Sequence, residues 1–237
     1  MTNGSTATSK SPHQVRFPNE SAEYRRARDV LREAEIALRR QIEATAQLRR
    51  SLPLGGEVPE DYVFQEGDDA HPVRLSELFA GKPTLIAYSF MFGPAMDHAC
   101  PNCTSILDAL DGQAQHVNQR ASLVVIAKSP IARIRAFAKE RGWRGLRLLS
   151  SATNKYNTDY HGEDAKGAQM ATLNVFTREG DAVHHTFATE MQYAPFDPGQ
   201  DPRHVDSIWP MWNLLDFTPD GRGDDHPKLQ YDKSPPV

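Results

Sequence analysis

The chain holds two cysteines, and they stand three residues apart in Cys100-Pro101-Asn102-Cys103. Sulfur at that spacing does two kinds of chemistry. On a helix, positions i and i+3 share a face, so the thiols could close a disulfide with Cα atoms about 5–6 Å apart. At a helix N-terminus, the unpaired N–H groups and the positive end of the dipole favour a thiolate on the first sulfur. Pro101 suits the first helical position, where no amide hydrogen bond is lost. In this redox reading Cys100 is the nucleophile and Cys103 the resolving thiol. His98 lies two residues upstream. A protonated imidazole there would favour the thiolate further. It could equally join Cys100 and Cys103 as a third ligand to zinc or copper, which makes a metal-binding protein without turnover the alternative. A third reading leaves the pair inert, since buried free cysteine behaves as a small hydrophobe.

The redox reading needs a strand before the pair and a helix after it, and the pattern supplies both. Leu85 to Phe90 is a near-continuous apolar run, as expected of a strand buried on both faces. Pro101 to about Val117 reads as a helix with Ile106, Leu107 and Leu110 inside. Leu123 to Ala127 is a second buried strand. Pro130 opens a helix carrying Ile131, Ile134 and Ala138, stopped at Gly142. Leu146, Leu148 and Leu149 mark a third strand, and a polar loop runs from Ser150 to Gly167. Hairpins flank this centre. Tyr62-Val63-Phe64 and Val73-Arg74-Leu75 enclose Glu66-Gly67-Asp68-Asp69, and Thr172 to Phe176 and Val183 to Ala188 enclose Glu179-Gly180-Asp181. Ser76 to Phe79 reads as one helical turn, residues 190–205 as irregular, and Ser207 to Phe217 as a closing helix complicated by Pro210. The order is α/β with a mixed sheet, parallel in the middle and antiparallel at one edge. It predicts a thioredoxin-like three-layer sandwich with a mixed central sheet, an N-terminal β-hairpin and a long N-terminal helix.

That helix is read from Ser21 to about Arg50. The stretch has no Gly or Pro, and Ala27, Leu31, Ala34, Leu38 and Ile42 form one narrow apolar stripe. Ser21 is the expected N-cap. The stripe predicts packing on the domain or on a second copy of the chain, so a homodimer through this helix is expected. The domain plan is a flexible tail over 1–19, a helical extension over 20–54, a thioredoxin-like domain over 55–218 and a polar tail over 219–237. With 237 residues, 39% of them hydrophobic, the chain can build a core without disulfide staples. A net charge of −4 argues against a nucleic-acid partner. No apolar run approaches the roughly 20 residues of a membrane span. The polar N-terminus lacks a signal-like apolar segment, so a reducing cytoplasm is the expected setting. No phosphate-cradling glycine loop is present, and no nucleotide, flavin or other cofactor is expected. The expected partner is a disulfide-containing protein or a small thiol.

Several residues are candidate supports of the thiol site. Met91-Phe92-Gly93-Pro94 reads as the loop shaping its wall, with Gly93 permitting close backbone approach. Asp159-Tyr160-His161, in the polar loop, could line the same site. Trp143, Trp209 and Trp212 are most simply core or interface aromatics. His184 and His185 alternate across a strand, so only one faces inward.

Taken together, these residues resemble a bacterial thioredoxin-like family of predicted dithiol-disulfide oxidoreductases. The matching pieces run in order along residues 14–223. They include Arg16-Phe17-Pro18-Asn19-Glu20-Ser21, Arg49-Arg50-Ser51-Leu52-Pro53, and Tyr88-Ser89-Phe90-Met91-Phe92-Gly93-Pro94 leading to the cysteines. Further on come Gly142-Trp143, Asp159-Tyr160-His161, Val175-Phe176 and Leu215-Asp216-Phe217-Thr218-Pro219-Asp220-Gly221-Arg222. The resemblance implies thiol–disulfide exchange at Cys100 and Cys103. Two departures from better-understood relatives stand out. Thioredoxin-type enzymes carry a cis-proline before the strand facing the cysteines. Here that place falls at Gln169-Met170-Ala171, and no proline occurs between Pro130 and Pro195. Peroxiredoxin-type enzymes place Pro and Thr or Ser seven and three residues before the nucleophile, where Cys100 has Gly93 and Asp97. Peroxidase chemistry by that mechanism is therefore not expected.

Overall fold

The computed structural model describes residues 16–190, 198, 206–224 and 226–231. The chain divides into two compact units, Met1–Leu52 and Pro53–Val237. Residues 1–15 of the expected 1–19 tail lie outside the described residues, as do most of the irregular stretch 190–205 and, of the C-terminal tail, residues 225 and 232–237.

The described part of the first unit is chiefly one helix, α1 (Ala22–Arg50). Ser21 caps it, its hydroxyl accepting from the Tyr24 N–H at 3.0 Å, as the pattern predicts. Arg25 pairs with Glu20, which lies just before the cap. None of its side chains is buried. Leu31, Leu38 and Ile42 of the predicted stripe are exposed.

The second unit is built on a seven-stranded sheet ordered β2-β1-β5-β4-β3-β6-β7. Its strands are β1 (Val63–Glu66), β2 (His71–Arg74), β3 (Thr84–Ser89), β4 (Ser122–Ala127), β5 (Arg147–Ser150), β6 (Thr172–Glu179) and β7 (Ala182–Ala188). β3, β4 and β5 run parallel, joined by α3 (Pro101–Val117) and α4 (Ile131–Arg141). Such crossovers bury the middle strands on both faces. β4 accordingly has no exposed residue and reads as an unbroken apolar run after Ser122. Both expected hairpins form, β1 with β2 and β6 with β7, and β6 pairs antiparallel with β3. This is the mixed α/β sheet of the thioredoxin-like class. α2 (Leu75–Leu78) is the predicted single turn. α4 ends where Gly142 takes a left-handed φ of 79°, a conformation that a side chain would strain.

Two expectations need correction. The loop after β5 contains a helical turn, α5 (Tyr156–Asp159), with Tyr156 and Asn157 fully buried. The Asn154 side chain starts it by accepting from the Tyr156 N–H at 3.0 Å. The expected single closing helix is two pieces, a 3₁₀ turn at Asp206–Ile208 and α6 (Pro210–Leu215). Pro210 cannot donate to a helix running through it, so a new helix starts there instead.

Alternation along the strands sorts the core into two clusters, one per face. Tyr88, Val125, Ala127 and Leu148 join Cys103, Ile106, Leu107 and Ile134 from α3 and α4. Leu85, Ala87, Val124, Ile126 and Leu149 join Tyr62, Phe64, Leu75 and Tyr156 on the other. The cysteines belong to the first face.

Candidate functional site

Cys100 is the N-cap of α3, in extended conformation with φ −64° and ψ 123°, and Pro101 is the first helical residue. Its own N–H donates to the Met91 carbonyl at 3.0 Å, which ties it to the loop after β3. Its carbonyl accepts from both the N–H and the hydroxyl of Thr104, at 3.0 and 2.9 Å. Cys100 is half-buried and Cys103 is 2% exposed. Both are free thiols.

The two sulfurs are electrostatically unlike. A hydrogen bond from the Cys103 thiol, helped by the first-turn N–H groups of Cys103 and Asn102, brings Cys100 down to about 6 against the cost of burial. The N–H contribution is charge–dipole in kind, since no formed cap hydrogen bond reaches the side chain. Cys103 moves the opposite way. Donating to Cys100 and lying in apolar packing both hold its proton on and push its pKa well above the usual value. The two opposite shifts favour a thiolate on Cys100 and a thiol on Cys103.

The loop between β3 and α3 is held from α4. The Arg133 guanidinium donates to the carbonyls of Gly93, Met96 and Asp97 and lies 4.4 Å over the Phe92 ring. Gly93 passes tightly against Gln169, where an added Cβ would come within 2.7 Å of the Gln169 Cγ. Gln169 thus occupies the place expected to lack proline, and there is no cis peptide among the described residues. Beneath the loop, Phe90, Phe92, Phe137 and Trp143 form an aromatic cluster with centroids 5.5–6.0 Å apart. The Trp143 indole donates to Asp108 at 2.7 Å.

Not every candidate converges. His98 lines a cavity of about 430 Å³ with Phe92, Arg133, Phe137 and Arg141, and neither cysteine lines it. Among the described residues no three His, Cys, Asp or Glu side chains stand together as a metal site requires. The set His98, Cys100 and Cys103 is therefore not assembled. Tyr160 and His161 line a separate cavity of about 400 Å³ with Asp159, Thr172, Asn174 and His185. Tyr160 packs on the second core cluster, against Phe176 and His185 at 4.9 and 5.2 Å. Burial pushes its phenol up to about 12 and lowers His185. Of the histidine pair, His185 is the one turned toward this cluster, its Nε2 2.8 Å from Asn174 Oδ1. These residues serve the other face of the sheet, not the thiols.

Two residues escaped the sequence reading, one bracing the loop before the cysteines and one packed in the cluster with Cys103. Arg133 gave no signal, because a charge in a first helical turn says nothing of what it reaches. Tyr88 did give one. It places a hydroxyl in an otherwise apolar buried strand, just upstream of the cysteine loop, and a buried hydroxyl calls for a partner.

Fold and site together define a thioredoxin-like domain with a dithiol at a helix N-terminus. The chain belongs to the family described as "Bacterial protein of unknown function (DUF899)", which it matches over residues 14–234. No curated protein matches it. Solved structures similar to it include a peroxiredoxin-like protein from Aquifex aeolicus, at 15% identity over 58% of this chain and 75% of that one, with a TM-score of 0.42. Thioredoxin peroxidase I of Plasmodium yoelii is similar at 15% identity, over 77% and 100% of the two chains, TM-score 0.44. An exposed lipoprotein thioredoxin of Streptococcus pneumoniae is similar at 15% identity over 66% and 99%, TM-score 0.38. Likeness at this level says nothing of chemistry. Among the described residues no helix is long and apolar enough to cross a membrane.

Proposed function

We propose that this protein is a thiol–disulfide oxidoreductase working in a reducing cytoplasm. The observation that carries the reading is the asymmetry of the pair: a half-exposed Cys100 capping α3, and a fully buried Cys103 one turn inside it. The Cys100 thiolate attacks a disulfide of a protein or small-thiol substrate, and Cys103 then resolves the mixed disulfide. A low-pKa attacking thiol and a protected second thiol keep the first step selective and the second intramolecular. The metal-holding alternative finds no support, since His98 stands apart from the sulfurs. The proposal includes a homodimer through α1, suggested by the exposed Leu31, Leu38 and Ile42. Sedimentation of the full chain against a Leu38→Glu variant tests that part, and identical masses for both remove it.

The central experiment is reduction of a model disulfide by the reduced protein. Cys100→Ser should abolish it. Cys103→Ser should leave the attack intact and trap the substrate on Cys100, visible by mass. Unchanged reduction by Cys100→Ser ends the assignment.

A further inference from the structure

Tyr88 is 1% exposed, and its hydroxyl has no hydrogen-bond partner among the described residues. A phenol oxygen buried that way is costly, so its place in an apolar cluster needs a reason. The register sets its direction. Tyr88 pairs with Val125 and Leu173 across the sheet and points to the face that α3 covers, among Phe90, Cys103 and Ile106. The ionisable groups beside it are the two sulfurs, Cys103 foremost. From the other side, Cys103 meets the Cys100 sulfur on its own helix, the Tyr88 hydroxyl from β3 and the Met91 N–H from the loop. The hydroxyl is thus near the sulfur but makes no well-formed bond to it in the resting dithiol.

We propose that Tyr88 donates a hydrogen bond to the Cys103 thiolate during the resolving step. The proposal rests on the thiol–disulfide reading above. At rest the Cys103 thiol donates to the Cys100 thiolate, and Tyr88 has no anion to serve. Cys100 then attacks a substrate R–S–S–R′. The Cys100–S–R bond forms, the substrate S–S bond breaks, and R′S⁻ leaves with the electron pair. Cys100 is now neutral, and Cys103 has lost its acceptor. The Cys103 proton passes to the departing R′S⁻ or, where that thiolate is weakly basic as thionitrobenzoate is, to solvent. The new thiolate lies in nearly dry packing, where the Tyr88 O–H and the Met91 N–H are the donors facing it. It attacks the Cys100 sulfur, the Cys100–Cys103 bond forms, and RS⁻ leaves to take a proton from water. Two electrons pass from the dithiol to the substrate, which ends as two thiols. Tyr88 keeps its proton throughout, since burial holds its phenol well above the usual range. A dithiol reductant such as dithiothreitol restores the pair.

The test is single-turnover reaction of the reduced protein with dithiobis-nitrobenzoate, comparing wild type with Tyr88→Phe. The first thionitrobenzoate released reports the attack by Cys100, and the second reports resolution by Cys103. Tyr88→Phe should leave the first phase unchanged. It should slow the second about tenfold near neutral pH, moving its pH profile up by about one unit. Phe nearly conserves volume, so packing should hold. A second measurement does not depend on turnover: iodoacetamide labelling of Cys103 against pH, in Cys100→Ser with and without Tyr88→Phe. The midpoint should be higher without the hydroxyl. A normal first phase with an unchanged second phase, or coincident labelling midpoints, overturns the role of Tyr88 alone. A wild-type first phase no faster than a free thiol overturns the oxidoreductase reading beneath it.

Discussion

Two strand-to-helix connections of the same sheet do different work. From β3 the chain takes residues 90–100 to reach α3, and from β4 only residues 128–130 to reach α4. Both helices open beside a proline, Pro101 at the first helical position and Pro130 at the N-cap. The long connection brings a sulfur to the helix start, with loop length to spare for a wall. The short one carries no chemistry of its own and serves as the frame. Its Ser129 N–H donates to the Phe92 carbonyl at 3.0 Å, and its carbonyl accepts from the Ser150 hydroxyl at 2.7 Å. One turn later Arg133 takes three carbonyls of the long loop. The same topology, used twice, gives a reactive crossover and the brace that holds it. A backbone with many unpaired carbonyls can sit beside a thiolate only if something nearby satisfies them.

The strongest way to break that comparison is to remove the brace. Arg133→Ala should cost about 3 kcal/mol, as expected for charged hydrogen bonds to partly buried carbonyls, and should slow Cys100 alkylation. Arg135→Ala, two positions beyond on the same helix, loses its ion pair with exposed Asp68 and should cost under about 1 kcal/mol. Urea midpoints of the two variants decide it. Equal losses would mean that the loop does not depend on Arg133.

A second test concerns the reactive crossover alone. Alkylation of Cys100 should rise with a midpoint near 6. Cys103→Ala should move that midpoint upward, because it removes the Cys103 hydrogen bond that is the largest cause of the shift. Stability follows with a definite sign. A thiol that ionises at about 6 when folded, and at about 8.5 in the unfolded chain, stabilises the reduced protein above the higher value. That contribution is lost as pH falls through the lower one. Reduced wild type should therefore gain stability over Cys100→Ser between those values, and thermal melts across that window would expose a flat difference.

A further test is at the contact between the loop and the segment that leads into β6. Gly93→Ala should force Gln169 to shift and cost about 1–2 kcal/mol through overpacking, with a lesser change in thiol reactivity. A denaturation midpoint equal to wild type would mean that Gln169 yields freely.

Much of this was legible in the residue pattern. The strand before the cysteines, the helix from Pro101, both hairpins and the Gly142 stop follow from periodicity and from the chemistry of Pro and Gly. Those are local constraints, acting over a few residues. α5 was not legible, because Asn154 starts it with one side-chain bond inside a run of polar residues that otherwise reads as loop. His98, Tyr160 and His161 were placed with the thiols on proximity in sequence or on motif alone. Which face of the sheet a loop residue joins depends on where the chain turns, and no local pattern carries that.

The sequence by itself determined the element order and the juxtaposition of two sulfurs on one helical face, because i to i+3 spacing and a proline at the first position leave little choice. Tertiary structure alone decided how unequal the sulfurs are, one half-buried and one fully buried, and that a tyrosine from the strand beneath packs in the same cluster as the buried one. Burial and field at a sulfur are sums over neighbours brought from distant parts of the chain, and only the folded packing assembles that sum.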